Sequence, residues 1–419
     1  MSLWSDVLSL LILFPALVDL LNNGLALKPP MGWLSWGYHE CQVDCKNTTV
    51  RCLDESLIMS VADHLFNDGY IEAGYEYVII DDCWSEPQRN EFGQLVPDRE
   101  RFSRGMKFLA DYIHSKGLKF GMYTSLGTYT CKGYPGIRDH FEIDAATFAS
   151  WDVDFLKVDG CFIKADYLNT GYIDLSRTLN KTGRPILYTC SWPYYIQFIE
   201  NKMVNFEPIV EHCNLFRTYH DIFHTAGNIY HTVKFFESSY DLMKKYHGPG
   251  QWFDPDMLLV GRGLNPTKGI DSFGWLRLQM VVYAMLPAPL LISCNLDAIS
   301  QKEKELLLNK DLVAINQDMM AVPAQPFAID PFLTIWVKPH EPKKGNMNPA
   351  CSFAVVNFHF RDVTIPFFLH KYAVCEPFTR RYSVMDVLNR TFLKNITSLE
   401  PIHVTVPSSD AVVYTLFPL

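Results

Sequence analysis

The sequence contains no C-x-x-C pair, no G-x-S-x-G elbow and no stripe of basic residues. No apolar run is long enough to cross a bilayer. Each absence removes a class of function. Without C-x-x-C there is no support for a zinc ribbon or a thioredoxin-like redox site. Without the serine elbow, a Ser-His-Asp hydrolase of the usual strand-to-helix kind has no support, even though His220 stands next to Asp221. Lys and Arg number 37 against 46 Asp and Glu, a formal net charge of −9, and they do not cluster. Neutralising a phosphate backbone needs clustered cations, so nucleic acid is not an expected partner. Residues 7–21 are mostly apolar, but Asp19 interrupts them and Asp6 stands where a signal peptide carries positive charge. The stretch is too short to span a membrane. Residues 1–24 read as a cleaved signal peptide, in preference to an uncleaved anchor or a disordered leader.

What is present is an ordinary globular balance, 48% hydrophobic and 20% charged. The length of 419 residues suits two domains, or one large barrel with an accessory module. Of eleven cysteines, eight fall between Cys41 and Cys213, and glycosylation triplets stand at Asn47, Asn180, Asn389 and Asn395. Together they point to an oxidising, glycosylating route. Aromatic residues make up 14% of the chain, which fits a sugar-binding site and an aromatic core about equally.

From residue 30 to about 317, short β-branched or aromatic runs alternate with longer helical patterns. Strands are expected over 32–36, 75–82, 119–124, 155–159, 186–191, 215–219, 251–256 and 289–295. Helices are expected over 55–66, 107–115, 145–150, 172–179, 232–245 and 273–285. Eight such repeats predict an α/β fold, a (β/α)8 TIM barrel over 25–318. After Asp318 helical periodicity stops and prolines at 323 and 326 mark a linker. Strand-like runs at 333–338, 351–360, 363–368, 372–377, 403–406 and 411–416 predict a C-terminal antiparallel β-sandwich over 319–419.

The run FLKVDGC, residues 155–161, carries the chemistry. In a strand, Phe155, Lys157 and Asp159 share one face while Leu156 and Val158 share the other. Burying a lysine and an aspartate on an apolar strand is costly unless they are paired or used. Asp81 and Asp82 end the second strand, Ser191 the fifth, and Asp254 with Asp256 the seventh, while Arg217 to Asp221 leaves the sixth. In a barrel those ends form the catalytic face. Asp159 and Asp221 are the candidate carboxylate pair for glycosidic hydrolysis, which needs one group at the anomeric carbon and one to protonate the leaving oxygen. Lys157 would keep Asp159 ionised, and Arg217 would bind substrate or steer Asp221. Two structural ion pairs at a barrel mouth are the plainer alternative. Asp81 and Asp82 beside Trp84 suit sugar hydroxyls and a ring face. The competing readings are a divalent-metal site and a capped helix start; against the metal, no histidine stands near the motif and a hard cation wants more oxygen ligands. No metal or cofactor is expected. Trp33, Trp36 and Trp252 lie near strands one and seven, where core packing competes with sugar stacking.

At these residues the chain resembles the family 27 glycoside hydrolases, in particular the animal lysosomal α-galactosidases and α-N-acetylgalactosaminidases. The motifs in order are NNGLALKPPMGWLSW, YVIIDDCW, ADYIHSKGLKFGMY, FLKVDGC, YTCSWPYY, LFRTYHDI, FDPDMLLVG, APLLIS and VAINQD. The resemblance implies Asp159 as nucleophile and Asp221 as acid/base in a double displacement with retained configuration. It implies sugar contacts at Trp36, Asp81, Asp82, Tyr123, Lys157, Tyr195, Arg217, Asp256 and Met257. It implies disulfides Cys41–Cys83, Cys45–Cys52, Cys131–Cys161 and Cys190–Cys213, and assigns no partner to Cys294, Cys351 or Cys375. Galactose-specific animal members carry glutamate and leucine after strand five, and the N-acetylgalactosamine enzymes carry serine and alanine. This chain has Ser191, as the latter do, but Tyr194 where the alanine would stand, so the two sugars remain open. Thr124-Ser125 replaces the usual Ala-Asp, and Phe253 an asparagine. The expectation is a lysosomal or secreted exo-glycosidase, a homodimer like its animal relatives. Its substrates would be α-galactosyl or α-N-acetylgalactosaminyl glycoconjugates. The rival from another class is a catalytically silent galactose-binding barrel lectin.

Overall fold

The computed structural model of the protein describes residues 23–46, 50–261, 272–341, 350–375 and 381–419. The expected leader (1–24) and the sequon at Asn47 lie almost wholly outside these residues.

Nine parallel strands form one curled sheet: β1 (Met31–Leu34), β2 (Tyr77–Ile79), β3 (Lys119–Ser125), β4 (Phe155–Asp159), β5 (Leu187–Cys190), β6 (Leu215–Arg217), β7 (Trp252–Asp254), β8 (Leu258–Leu259) and β9 (Leu290–Ser293). Their order is β7-β6-β5-β4-β3-β2-β1-β9-β8. The two edges, β7 and β8, are separated by only three residues of chain, Pro255 to Met257. They are the lower and upper halves of a single stave. The lower half pairs with β6 and the upper half with β9, so the barrel closes through a broken seventh strand. The break follows from Pro255, which cannot donate to a ladder, and from Asp256, whose φ of 77° lies in the left-handed region that aspartate tolerates better than most residues.

The intervening helices appear where the patterns place them, including Glu55–Asn67, Gly105–Ser115, Phe141–Ser150, Ala165–Lys181 and Ser272–Met285. The pattern over 232–245 divides at Ser239 into Ala226–Ser238 and Tyr240–Tyr246. On β4, Leu156 and Val158 are fully buried beneath the helices, while Lys157 and Asp159 occupy the other face. No helix among the described residues is long and apolar enough to cross a membrane.

The C-terminal strands are β10 (Gln325–Asp330), β11 (Leu333–Pro339), β12 (Cys351–Asn357), β13 (Val363–Phe367), β14 (Arg381–Asp386), β15 (Thr391–Thr397), β16 (Ile402–Val406) and β17 (Asp410–Pro418). Six of them form one antiparallel sheet, β10-β11-β12-β17-β14-β15, and β13 pairs with β16 in a second. Phe353 stacks on Phe367 across the sandwich, ring centres 3.6 Å apart. The large sheet is apolar on both faces. Leu333, Ile335, Val337, Phe353 and Val355 point into the sandwich, and the alternating Trp336, Ala354, Val356, Ala411 and Val413 join the barrel's core. A sheet covered on both sides explains why β11 and β12 read as continuous apolar runs.

One expectation for this region is corrected. Residues 372–375 are a turn after the 3-10 segment Leu369–Lys371, not a strand, and 376–377 lie outside the described residues. Cys351 and Cys375, to which the resemblance assigns no partner, form a disulfide that ties this turn to β12. Cys294 is the free, buried thiol. The four pairings implied for the barrel are all present.

Candidate active site

The C-terminal strand ends gather carboxylates and cations into one pocket. Tyr123 and Lys157 are direct neighbours across β3 and β4, as are Arg217 and Asp254 across β6 and β7. Lys157 Nζ donates to Asp81 Oδ2 at 2.7 Å. Burial opposes its charge, but Asp81, Asp256 and Asp159 outweigh that effect and hold the ammonium above its ordinary value. Burial raises Asp81 despite the lysine. Asp81 is fixed in place by Ser35, whose hydroxyl accepts from its backbone amide at 2.9 Å. Asp82 accepts from the Cys83 amide at 2.7 Å and the Lys132 amide at 3.0 Å, and burial pushes its carboxyl up to about 6.

Asp159 ends β4 with its side chain 12% exposed. Tyr123 donates to Oδ2 at 3.0 Å, Tyr195 to Oδ1 at 3.4 Å, and Arg217 Nη2 to Oδ1 at 3.4 Å. Burial alone would raise this carboxyl. Arg217 and Lys157, with hydrogen bonds from Ser191 and Tyr123, instead bring it below the ordinary carboxylate value. Gly160 follows because a Cβ there would meet the Tyr195 ring at 2.7 Å, so only glycine lets that ring lie beside Asp159.

Arg217 Nη1 also donates to Asp221 Oδ1 at 2.5 Å. One planar guanidinium therefore bonds both candidate carboxylates, and both face the same pocket. Asp221 differs in environment: its side chain is 52% exposed. Burial of its inner part, with Asp256 and Asp159 nearby, raises its carboxyl despite Arg217. Asp256 accepts from the Ile222 amide at 2.9 Å and the Met257 amide at 2.9 Å, tying the broken stave to the loop that carries Asp221. Asp254 is raised by burial to about 6. Met257 is buried at the break. Trp36 packs at the end of β1 with Lys132 Nζ 5.2 Å from its ring centre. Tyr194, half-buried, lies over the Arg217 guanidinium.

A family model described as alpha galactosidase A matches residues 28–318. The chain belongs to the alpha galactosidase A family. It is 38% identical over 401 residues to alpha-N-acetylgalactosaminidase of Gallus gallus, covering 95% of each chain. To alpha-galactosidase A of Homo sapiens it is 40% identical over 321 residues, 76% of this chain and 73% of that protein. The solved structure of alpha-galactosidase I from Mortierella vinacea matches with a TM-score of 0.78 and 26% identity, over 95% of this chain and 98% of that one.

Within this family frame, the structure brings every sequence-predicted site residue to the mouth of the barrel. Two disulfides brace the carriers of the acids: Cys41–Cys83 holds the residue after Asp82, and Cys131–Cys161 the loop after Asp159. The Thr124-Ser125 departure has a local explanation. Ser125 Oγ accepts from the Cys161 amide at 3.0 Å and reaches the Asp159 carbonyl at 3.3 Å, so a hydroxyl pins the loop after β4. Phe253 points away from the pocket, with its ring 5.4 Å from that of Phe206. Sequence reasoning missed Ser35 and Lys132, which act through a hydroxyl and a backbone amide that no motif exposes. The ring of His220 is 4.5 Å from that of Phe198.

Proposed function

We propose that the chain is a retaining exo-glycosidase that removes terminal α-linked galactose-type sugars, galactose or its N-acetylamino form, from glycolipids, glycoproteins or oligosaccharides. The observation that carries this reading is the single Arg217 guanidinium bonded to Asp159 on one side and Asp221 on the other. Asp159, ionised and held by Tyr123 and Tyr195, attacks the anomeric carbon. Asp221 gives its proton to the departing glycosidic oxygen as that bond breaks. The glycosyl-Asp159 ester is then hydrolysed: Asp221, now a carboxylate, takes a proton from the incoming water, and the sugar leaves with its configuration retained. Asp81, Asp82 and Asp256 accept hydrogen bonds from ring hydroxyls, Lys157 and Arg217 donate, and Trp36 with Met257 covers the apolar side of the ring. Ser191 and Tyr194 adjoin the 2-substituent. The proposal includes a lysosomal or secreted location and a homodimer, for which light scattering of the purified chain would have to give twice the monomer mass.

Incubation with an activated 2-deoxy-2-fluoro galactosyl donor tests the mechanism. The expected product is a chain heavier by one fluoroglycosyl group, attached at Asp159. A lectin of the same fold would remain unlabelled, and a label on any other residue would reject Asp159 as nucleophile.

A further inference from the structure

The oxygen that Asp221 protonates belongs to the leaving group, so the leaving group departs beside Asp221. This carboxyl is the more open of the pair, 52% exposed against 12% for Asp159. The surface next to it is aromatic. His220, the neighbour of Asp221 in sequence, is exposed, and its ring lies 4.5 Å from Phe198 and 5.4 Å from Tyr194. Tyr194 and Phe198 are 5.7 Å apart and both half-buried, so the three rings form one wall with a free outer surface. Behind it, Phe198 packs edge-on against Tyr219 at 5.5 Å, and Tyr219 stacks on Phe235 at 4.5 Å. The wall draws on three elements: the segment after β5, the loop after β6, and the helix Ala226–Ser238 that holds Phe235. Phe198 sits in a π turn, Tyr195–Ile199, with the Glu200 amide bonded to the Tyr195 carbonyl at 2.9 Å. Single π turns of this kind concentrate at functional sites.

We propose that His220, Phe198 and Tyr194 form the leaving-group platform. It selects an aglycone whose first unit is flat with an apolar face, an aryl group or a pyranose ring turned C–H side inward. This deepens the function proposed above and rests on it. An aromatic face offers such a group contact through area and quadrupole, and offers little to an atom-sized leaving group.

The experiment compares three donors on wild type, His220→Ala and Phe198→Leu: 4-nitrophenyl α-galactoside, an α-1,6-linked galactosyl-glucose disaccharide, and α-galactosyl fluoride, which has no aglycone to stack. For each protein, kcat/KM of the first two is divided by that of the fluoride. Both ratios are expected to fall by about threefold to tenfold in each variant. A fall in the aryl ratio alone would still support the platform and restrict it to arenes. Because His220 is exposed, its variant keeps the test valid if Phe198→Leu is poorly folded. Ratios within twofold of wild type in His220→Ala would overturn the platform while leaving the hydrolase intact. Failure of wild type to cleave the fluoride would overturn the hydrolase reading and the platform with it.

Discussion

Tyr194 covers Arg217, its ring centre 4.4 Å from the guanidinium carbon, and edges against Tyr195 at 5.2 Å. The phenol is thereby held over the cation that joins Asp159 and Asp221, and under the proposed function it would occupy space an acetamido group needs. Tyr194→Ala is expected to raise the ratio of activity on 4-nitrophenyl α-N-acetylgalactosaminide to that on the α-galactoside by about tenfold. Paired rate measurements in mildly acidic buffer check this. An unchanged ratio would place Tyr194 outside the 2-substituent pocket.

The pH profile follows from two opposed environments. In the proposed mechanism Asp159 must be ionised, and against the effect of burial Arg217 and Lys157 bring its carboxyl below the ordinary value. Asp221 must carry its proton, and burial with the neighbouring Asp256 and Asp159 charges raises it. A bell-shaped kcat/KM with an acidic optimum is expected, its acid limb from the first group and its alkaline limb from the second, as properties of a coupled pair. In Asp221→Asn the alkaline limb should vanish on a substrate with a good leaving group. A wild-type profile flat through neutral pH would contradict these roles.

A surface cluster carries a separate pH signature. His64 contacts Asp68 and Asp297, each at 2.7 Å, and Lys304 and Arg51 contact the same two aspartates. Partial burial lowers the imidazole, but the two carboxylates outweigh it and raise it above 6.5. A raised folded-state value means that this contribution to stability is complete below about 6.5 and fades as pH climbs through the folded value. In Asp297→Asn, the loss of melting temperature relative to wild type should be larger at pH 5 than at pH 8. An equal loss at both would mean that His64 is not linked to folding.

Legibility in the sequence tracked how far each residue departed from its surroundings. Lys157 and Asp159 on an apolar strand, and paired aspartates at strand ends, announced the site because burying them unpaired is costly. The strand expected over 251–256 runs into the break and leaves out Leu258–Leu259, because the apolar run after Asp256 resembles any core segment and nothing in it marks a change of partner from β6 to β9. In the sandwich, β15 has five exposed residues in succession and β10 begins with Gln325-Pro326, so neither alternates cleanly. Residues 372–375 have strand-forming composition but serve a turn tethered by Cys375. Phe198 did not stand out in the sequence as a candidate, since a lone aromatic residue reads first as core.

The two-faced large sheet ties the barrel's fate to its neighbour. Arg277, on a helix otherwise almost wholly sequestered from water, grips Asp410 at the head of β17, with Nε to Oδ1 at 2.7 Å. Changes at that seam touch none of the residues proposed to bind the sugar. They would thin the population of native molecules available in the cell and leave each surviving molecule's turnover as it was.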